Sequence, residues 1–272
     1  MIQELIKNAF QEDIPEGDLT TGCLGIQEKF GIAKVVAKQD LTLSGKNIFE
    51  NSIQYVDPNL KITWHFKDSD EILLGQSLCQ IEGNLINLIQ AERVALNFLG
   101  YLSGIATQTH SYVQACTGTS TKILDTRKTL PLYRKLSKQA VLDGGGSNHR
   151  MNLSDGILIK ENHIAISEDL KSCLNQVKKS SDQPIEVETK NLAEVKQAVA
   201  FGVTRIMLDN MNLELMSECL KAIPDNIETE ASGNMTLERI PAVAALGVDF
   251  ISVGAITHSV NNVDLSLLFD WN

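Results

Sequence analysis

Basic residues are in deficit: 24 Lys and Arg stand against 34 Asp and Glu, for a formal charge of -10. That balance excludes nonspecific binding to nucleic acid or to anionic membranes, so an anionic ligand must be met by a local cationic pocket. Paired cysteines are missing as well. Cys23, Cys79, Cys116, Cys173 and Cys219 are odd in number, scattered and without CxxC spacing. This excludes a disulfide frame and a zinc site, and it reads as buried thiols in a reducing compartment. No apolar run is long enough to span a bilayer. No basic region followed by an apolar stretch opens the chain; IQELIKNAF instead places Ile2, Leu5, Ile6 and Ala9 on one helical face. A cytoplasmic protein is expected.

What is present begins with enough length, 272 residues, for one large or two moderate domains with a proper core. The unusual stretch is Asp125 to His163, a net-positive island in an acidic chain. It carries Arg127, Lys128, Arg134, Lys135, Lys138, Arg150 and Lys160. Such a concentration of fixed donors suits a ligand with several anionic groups. Arg134, Lys135 and Lys138 read as the wet face of a helix whose other face is Leu132, Leu136 and Ala140. Arg127, Lys128, His149, Arg150 and Lys160 fit that explanation less well.

Taken in order, the first helix is followed by the turn EDIPEGDLTT, whose Asp and Thr residues read as caps and turn formers. Residues 32–43, 60–66 and 76–81 have strand composition, and GKNIFENSIQYVD between them puts Ile48, Phe49, Ile53 and Val56 on one helical face. A long helix follows, with Leu85, Leu88, Ile89, Leu96 and Leu99 inward and Glu92 and Arg93 interrupting them. Spacing alone assigns Arg93 no role. From Thr121 short apolar strands alternate with amphipathic segments: KILD, GILIK, IEVE, RIMLD, IETEA and FISVGA. Helical spacing is clearest at Leu192, Val195 and Val199, and again at Leu215, Met216, Cys219, Leu220 and Ile223. Alternation of this kind implies right-handed βαβ units and a parallel sheet. Six strands are too few for an eight-fold barrel, so an incomplete parallel α/β barrel is expected over residues 111–259. An amino-terminal α/β sandwich is expected over 1–110, joined by the tail 260–272. No GxGxxG follows the first strand of this alternation, which argues against a dinucleotide site.

In α/β barrels the site is built at the carboxyl ends of the strands. Here those ends carry Asp125, Thr126, Arg127 and Lys128, then Lys160, Glu188, Asp209, Ser232-Gly233-Asn234 and Gly254. Cations come from the first two strands, carboxylates from the next two, and small backbone-exposing residues from the last two. Glu188 and Asp209 are hard oxygen ligands suited to Mg2+; acid/base work is their alternative role, and a structural ion pair the plain one. SerGlyAsn and ValGlyAla resemble the phosphate site that such barrels build from their last loops. Gly144-Gly145-Gly146 either lets backbone approach a ligand or simply terminates a helix. His149 could donate to a carboxylate and His163 ends the next strand region, while His65, His110 and His258 read as structural. This chemistry fits a phosphorylated sugar with an anionic co-substrate. A Schiff-base aldolase with Lys160 as nucleophile and a non-catalytic sensor of phosphorylated ligands are the rivals.

The motifs EDIPEGDLTT, AERVALNFLGYLSGIAT, DTRKT, GGGSNHR, LIKENH, EVET, IMLDNM, EASGN and ISVGAITHSV, in that order, resemble the quinolinate phosphoribosyltransferase family. The resemblance implies phosphoribosyl transfer from phosphoribosyl pyrophosphate to the ring nitrogen of quinolinate, with Mg2+. Nicotinate mononucleotide, pyrophosphate and CO2 would be the products, on the de novo route to NAD. Relatives acting on another base share the fold. It also implies an amino-terminal sandwich, a partly closed barrel, and a homodimer, or a higher oligomer, with shared sites. Carried over by motif, Arg127, His149, Arg150 and Lys160 would hold the quinolinate carboxylates, and Arg93 would reach across the dimer into the neighbour's site. Lys128 would face pyrophosphate, with Glu188 and Asp209 near ribose and metal. Ser232, Gly233 and Asn234, with Val253, Gly254 and Ala255, would receive the 5′-phosphate. One departure is visible: the family usually has Pro-Gly-Leu-Arg after DTRKT, whereas here Pro131 is followed by Leu132 and Tyr133.

Overall fold

The computed structural model describes residues 2–270. Met1, Trp271 and Asn272, which belong to the expected first domain and its tail, lie outside the described residues. Among the described residues twelve strands form: β1 Phe30–Ala37, β2 Leu41–Thr42, β3 Lys61–Trp64, β4 Glu71–Ile72, β5 Ser77–Asn84, β6 Lys122–Leu124, β7 Ile157–Ile159, β8 Ile185–Thr189, β9 Arg205–Asp209, β10 Glu228–Ser232, β11 Phe250–Ser252 and β12 Leu265–Phe269. They make a four-stranded sheet in the order β12-β1-β5-β3, a two-stranded sheet β2-β4 and a six-stranded sheet in the order β6-β11-β10-β9-β8-β7.

The chain divides into two compact units, one of Met1–His110, Leu130–Gly145 and Ser259–Asn272, the other of Ser111–Thr129 and Gly146–His258. In the first unit β1 pairs antiparallel with β5 on one side and with β12 on the other. Alternation explains the burial of Ala33, Val35 and Ala37, which share one face of β1. Ile48, Phe49 and Ile53 of the helix Lys46–Val56 join Leu78 and Ile81 in this core. The long helix Leu85–Ala115 buries Leu85, Leu88, Leu96 and Leu99 as expected, but Ile89 stays exposed. In the turn after the first helix, Asp18 Oδ1 accepts the Thr21 amide and caps Leu19–Leu24. Four cysteines are buried, whereas Cys23, near the end of that short helix, is exposed rather than buried as expected.

Residues 130–145 lie with the first unit rather than with the alternating strands around them. Leu132, where the resemblance leads one to expect glycine, takes φ +66°, a left-handed conformation that costs a side-chain-bearing residue roughly 1–2 kcal/mol. In the helix Arg134–Asp143, Lys135 is exposed, but Lys138 is fully buried rather than on a wet face. The helix packs Ser137, Lys138, Ala140 and Val141 inward, so the apolar stripe alone misjudges its inner face.

The triple glycine is decided by packing. Gly144 caps that helix, and a Cβ there would come within 2.7 Å of Thr109 Cβ and closer still to the Ala106 carbonyl. It permits close helix approach rather than a ligand's. Gly144→Ala is therefore expected to lower stability by roughly 1–3 kcal/mol through overpacking. Denaturant titration would measure the loss, and an unchanged midpoint would contradict this contact.

In the second unit all six strands run parallel, with β6 and β7 as the two edges. Among the described residues a single bridge forms between those edges, Leu124 to Ser147, so the barrel is incomplete. Alternation sorts each strand. Val187, Ile206, Leu208, Ala231 and Ile251 are buried on one face. The opposite parity carries Glu186 and Glu188, Arg205, Met207 and Asp209, and Glu228, Glu230 and Ser232. Register aligns Glu186 and Glu228 with Arg205, and Glu188 and Glu230 with Met207. Charged side chains thus occupy the inner face of this sheet.

Candidate active site

Two adjoining clefts open in the second unit. The smaller, about 320 Å3, is walled by Thr126, Arg127, Lys128, His149, Arg150 and Lys160, over a floor of Leu158, Met207 and Glu230. The larger, about 730 Å3, gathers Glu188, Asp209, Asn210, Ser232, Gly233, Asn234, Gly254 and Ala255. Thr126, Lys128, Lys160, Ser232 and Ser252 belong to both. A cationic chamber and a carboxylate-and-glycine chamber therefore meet along two lysines. Six strand ends contribute, and that is why residues as distant in sequence as Thr126 and Ala255 converge.

Local structure holds each donor. After β6 the chain turns: Thr126 Oγ1 accepts the Lys128 amide at 3.1 Å, and the Thr129 amide returns to the Arg127 carbonyl at 3.0 Å. Buried Asp125 accepts the His149 amide through Oδ1 at 2.9 Å, tying β6 to the NHR segment. Arg150 is anchored by Nη1 donating to the Gly156 carbonyl at 2.8 Å. Burial, and then the neighbouring charge of Arg127, hold its guanidinium pKa below the ordinary value. Two like charges kept together in a half-buried wall are complementary to a dianion.

Lys160 follows β7 and places Nζ 3.0 Å from Glu188 Oε2 at the end of β8. Asp209 closes β9, where Oδ2 accepts from Asn210 Nδ2 at 2.7 Å. Gly233 adopts φ +88°, and a Cβ there would come within 2.9 Å of the Asn210 backbone nitrogen, so only glycine lets these two loops touch. At Gly254 a Cβ would press on His258 Nε2 at 3.0 Å and on Lys128 Cδ at 3.4 Å. Glycine there keeps room for the lysine stem.

Two expected ligands are placed differently. Val253 gives its amide to the Leu124 carbonyl at 2.9 Å and is buried, so Gly254 and Ala255 alone of that trio face the cleft. His149 lines the cationic cleft, but both ring nitrogens are engaged. Nε2 lies 3.0 Å from Glu186 Oε2 and 3.5 Å from Glu230 Oε2. Nδ1 accepts the Arg150 amide at 2.9 Å. The two carboxylates outweigh burial and push the histidine pKa up to about 9. The amide argues the other way, because an imidazolium would set Nδ1–H against N–H. The hydrogen-bond geometry decides for the neutral Nε2–H ring, which leaves His149 no free donor for a substrate carboxylate.

Other placements complete the inventory. Arg93 sits on the first unit's long helix, largely exposed, with Nη2 3.8 Å from Glu92. His163 Nδ1 accepts the Lys160 amide at 3.0 Å. His258 and Tyr112 line the larger cleft, although spacing marked neither. Glu186, Arg205 and Glu230 were missed too, yet IEVE, RIMLD and IETEA each show a period-two pattern that puts charge on one strand face. No helix among the described residues is long and apolar enough to cross a membrane.

Comparison with known proteins adds a separate line. The profile of the quinolinate phosphoribosyl transferase C-terminal domain matches residues 105–268, and that of its N-terminal domain matches residues 18–103. The chain is 38% identical over 268 residues to a probable nicotinate-nucleotide pyrophosphorylase (carboxylating) of Bacillus subtilis, covering 98% of this chain and 92% of that protein. It is 38% identical over 290 residues to the chloroplastic nicotinate-nucleotide pyrophosphorylase (carboxylating) of Arabidopsis thaliana, covering 99% of this chain and 83% of that one. Among solved structures, the nicotinate-nucleotide pyrophosphorylase from Francisella tularensis superposes with a TM-score of 0.93 at 37% identity, covering 99% and 96% of the two chains.

Proposed function

The chain belongs to the quinolinate phosphoribosyltransferase family, and from that premise we infer that it transfers the phosphoribosyl group of phosphoribosyl pyrophosphate to quinolinate. The products are nicotinate mononucleotide, pyrophosphate and CO2, a step of de novo NAD biosynthesis. One observation carries this reading: a cleft walled by Arg127 and Arg150 adjoins one holding Glu188, Asp209 and Ser232 to Asn234, and Lys128 and Lys160 border both.

In this reading Arg127, Arg150 and Lys160 hold the two carboxylates of quinolinate and aim the ring nitrogen at the sugar. Ser232 to Asn234, with Gly254 and Ala255, receive the 5′-phosphate, and Lys128 meets the pyrophosphate. Breaking the bond to pyrophosphate leaves positive charge on the ribose, which Glu188 and Asp209 stabilise from the adjoining wall. Once the ring nitrogen is bonded to ribose it is cationic; its charge stabilises the electron pair left on C2 as the 2-carboxylate departs as CO2, and a proton from solvent then takes that position. Glu188 and Asp209 are hard oxygen donors at an open, water-accessible cleft, a set that fits Mg2+ with several retained waters. Held there, Mg2+ would supply charge neutralisation for the pyrophosphate leaving group.

The rival imine chemistry is disfavoured. Lys160 Nζ stands in an ion pair with Glu188 at 3.0 Å, the opposite of the desolvated, cation-flanked setting that activates a lysine nucleophile. A homodimer with shared sites, Arg93 entering the partner's cleft, belongs to this reading, as does a cytoplasmic setting, with five free thiols in support.

The testing assay compares quinolinate with nicotinate, scoring CO2 and pyrophosphate together. Expected are stoichiometric CO2 and pyrophosphate from quinolinate, little turnover of nicotinate, and loss of activity on chelation that added Mg2+ restores. Equal turnover of nicotinate would remove the role given to the second carboxylate. Activity indifferent to chelation would remove the metal.

A further inference from the structure

Beneath the cationic cleft lies a buried chain of side chains that the reaction as derived does not use. Glu230 on β10 is fully buried, and among the described residues its Oε1 finds no hydrogen-bond partner. Its Oε2 is 3.5 Å from His149 Nε2 and 3.4 Å from Arg205 Nη1. Glu186 on β8, mostly buried, takes His149 Nε2 at 3.0 Å. Arg205 on β9 is itself fixed: Nε and Nη2 both donate to Glu228, at 2.9 and 2.7 Å, and the guanidinium lies 4.2 Å over the Phe250 ring. Three neighbouring strands thus hold a two-carboxylate grip on one imidazole.

Buried carboxylates are costly unless each serves a partner. His149 gains no ligand contact from them, since its remaining nitrogen accepts the Arg150 amide. What the grip does set is which nitrogen carries the proton. With Nε2–H directed at Glu186, Nδ1 is bare and receives that amide, so the backbone of Arg150 is fixed next to the guanidinium that meets the cleft. The same three groups bring a ring nitrogen and carboxylate oxygens within 4.8 Å of one another, a spacing that also suits a metal ion. A metal would need the Nε2 lone pair, which a proton occupies here, and Arg205 already neutralises Glu230.

Resting on the functional reading above, we propose that Glu186 and Glu230 are positioning residues for quinolinate: they lock His149 as its Nε2–H tautomer and through it align Arg150 with the dicarboxylate. His149 acts through Arg150 and is not itself a ligand.

The test has two arms. Nitrogen NMR of the ligand-free full-length protein reads the His149 ring directly; Nε2 protonated with Nδ1 bare is expected at neutral pH, and a doubly protonated ring or the reverse tautomer overturns the proposal. Steady-state kinetics and quinolinate titration calorimetry then compare Glu186→Gln and Glu230→Gln with the unchanged protein. Glutamine keeps the shape but donates as readily as it accepts, so the tautomer is no longer enforced. The quinolinate KM and Kd should rise by about 10-fold while the phosphoribosyl pyrophosphate KM stays put and kcat changes little. In an Arg150→Lys background, adding Glu230→Gln should do almost nothing further. Undiminished quinolinate affinity in both variants, or equal losses for both substrates, would sink the inference alone. Failure of the unchanged protein to bind quinolinate would sink the functional reading and this inference with it. The NMR arm stands even where a variant folds poorly.

Discussion

Arg150→Ala is expected to lower kcat/KM for quinolinate by about two to three orders of magnitude, or about 3–4 kcal/mol of lost stabilisation. The size follows from the setting. The guanidinium is half-buried beside Arg127, donates through Nη1 to the Gly156 carbonyl, and lines the cationic cleft. A charge-assisted pair with a carboxylate in such a wall is worth more than an exposed ion pair. Removing it leaves one ligand carboxylate desolvated and unpaired. The fold should persist, because the residue is not part of the buried apolar core and water can satisfy Gly156. Relief of the Arg127 repulsion offsets part of any loss, so the melting temperature should move by no more than a few degrees. Kinetics alongside thermal melting would check both halves. Unchanged turnover would remove Arg150 from the site, and a collapsed melting temperature would make its role structural.

The second large effect is a recovery. Arg93→Ala and Lys160→Ala should each be nearly inactive alone, yet their mixture, dissociated and reassociated, should regain about a quarter of the unaltered activity. Random pairing makes half the dimers hybrid. In a hybrid, one site draws an intact Lys160 from its own subunit and an intact Arg93 from the partner; the other site lacks both. If Arg93 served its own chain, every site in the hybrid would carry a lesion and nothing would return. Its exposure, and a contact to Glu92 of only 3.8 Å, leave the side chain available to a second copy. Activity after mixing, with each parent as control, gives the answer. Absence of recovery despite confirmed hybrid dimers would end the shared-site proposal.

Much of the site was legible because chemistry alternates with apolarity at strand ends. Arg127, Lys160, Glu188, Asp209 and Ser232 follow or close short apolar strands, and a parallel sheet carries all such ends to one rim whatever their separation in sequence. Val253 was misread for the converse reason. It belongs to the same tripeptide as Gly254, but its amide completes a strand pairing, and pairing cannot be read from a motif. Lys138 shows the same limit. Its spacing suits a solvated helix face, yet where the helix came to rest buried it completely.

The order of strands and helices, the cationic character of one stretch and the parity of charges on each strand were all determined by the sequence, because they depend on local periodicity and composition. Which atoms those charges would face was decided only in three dimensions. The carboxylates of EVE and ETE gave no sign that they would close on a histidine 37 and 81 positions away. Nor did the sequence show that this histidine would spend both nitrogens inside the protein. Hydrogen bonds are short-ranged and directional, so a shift of an ångström changes a ligand into a brace, and only the packed sheet sets positions that finely.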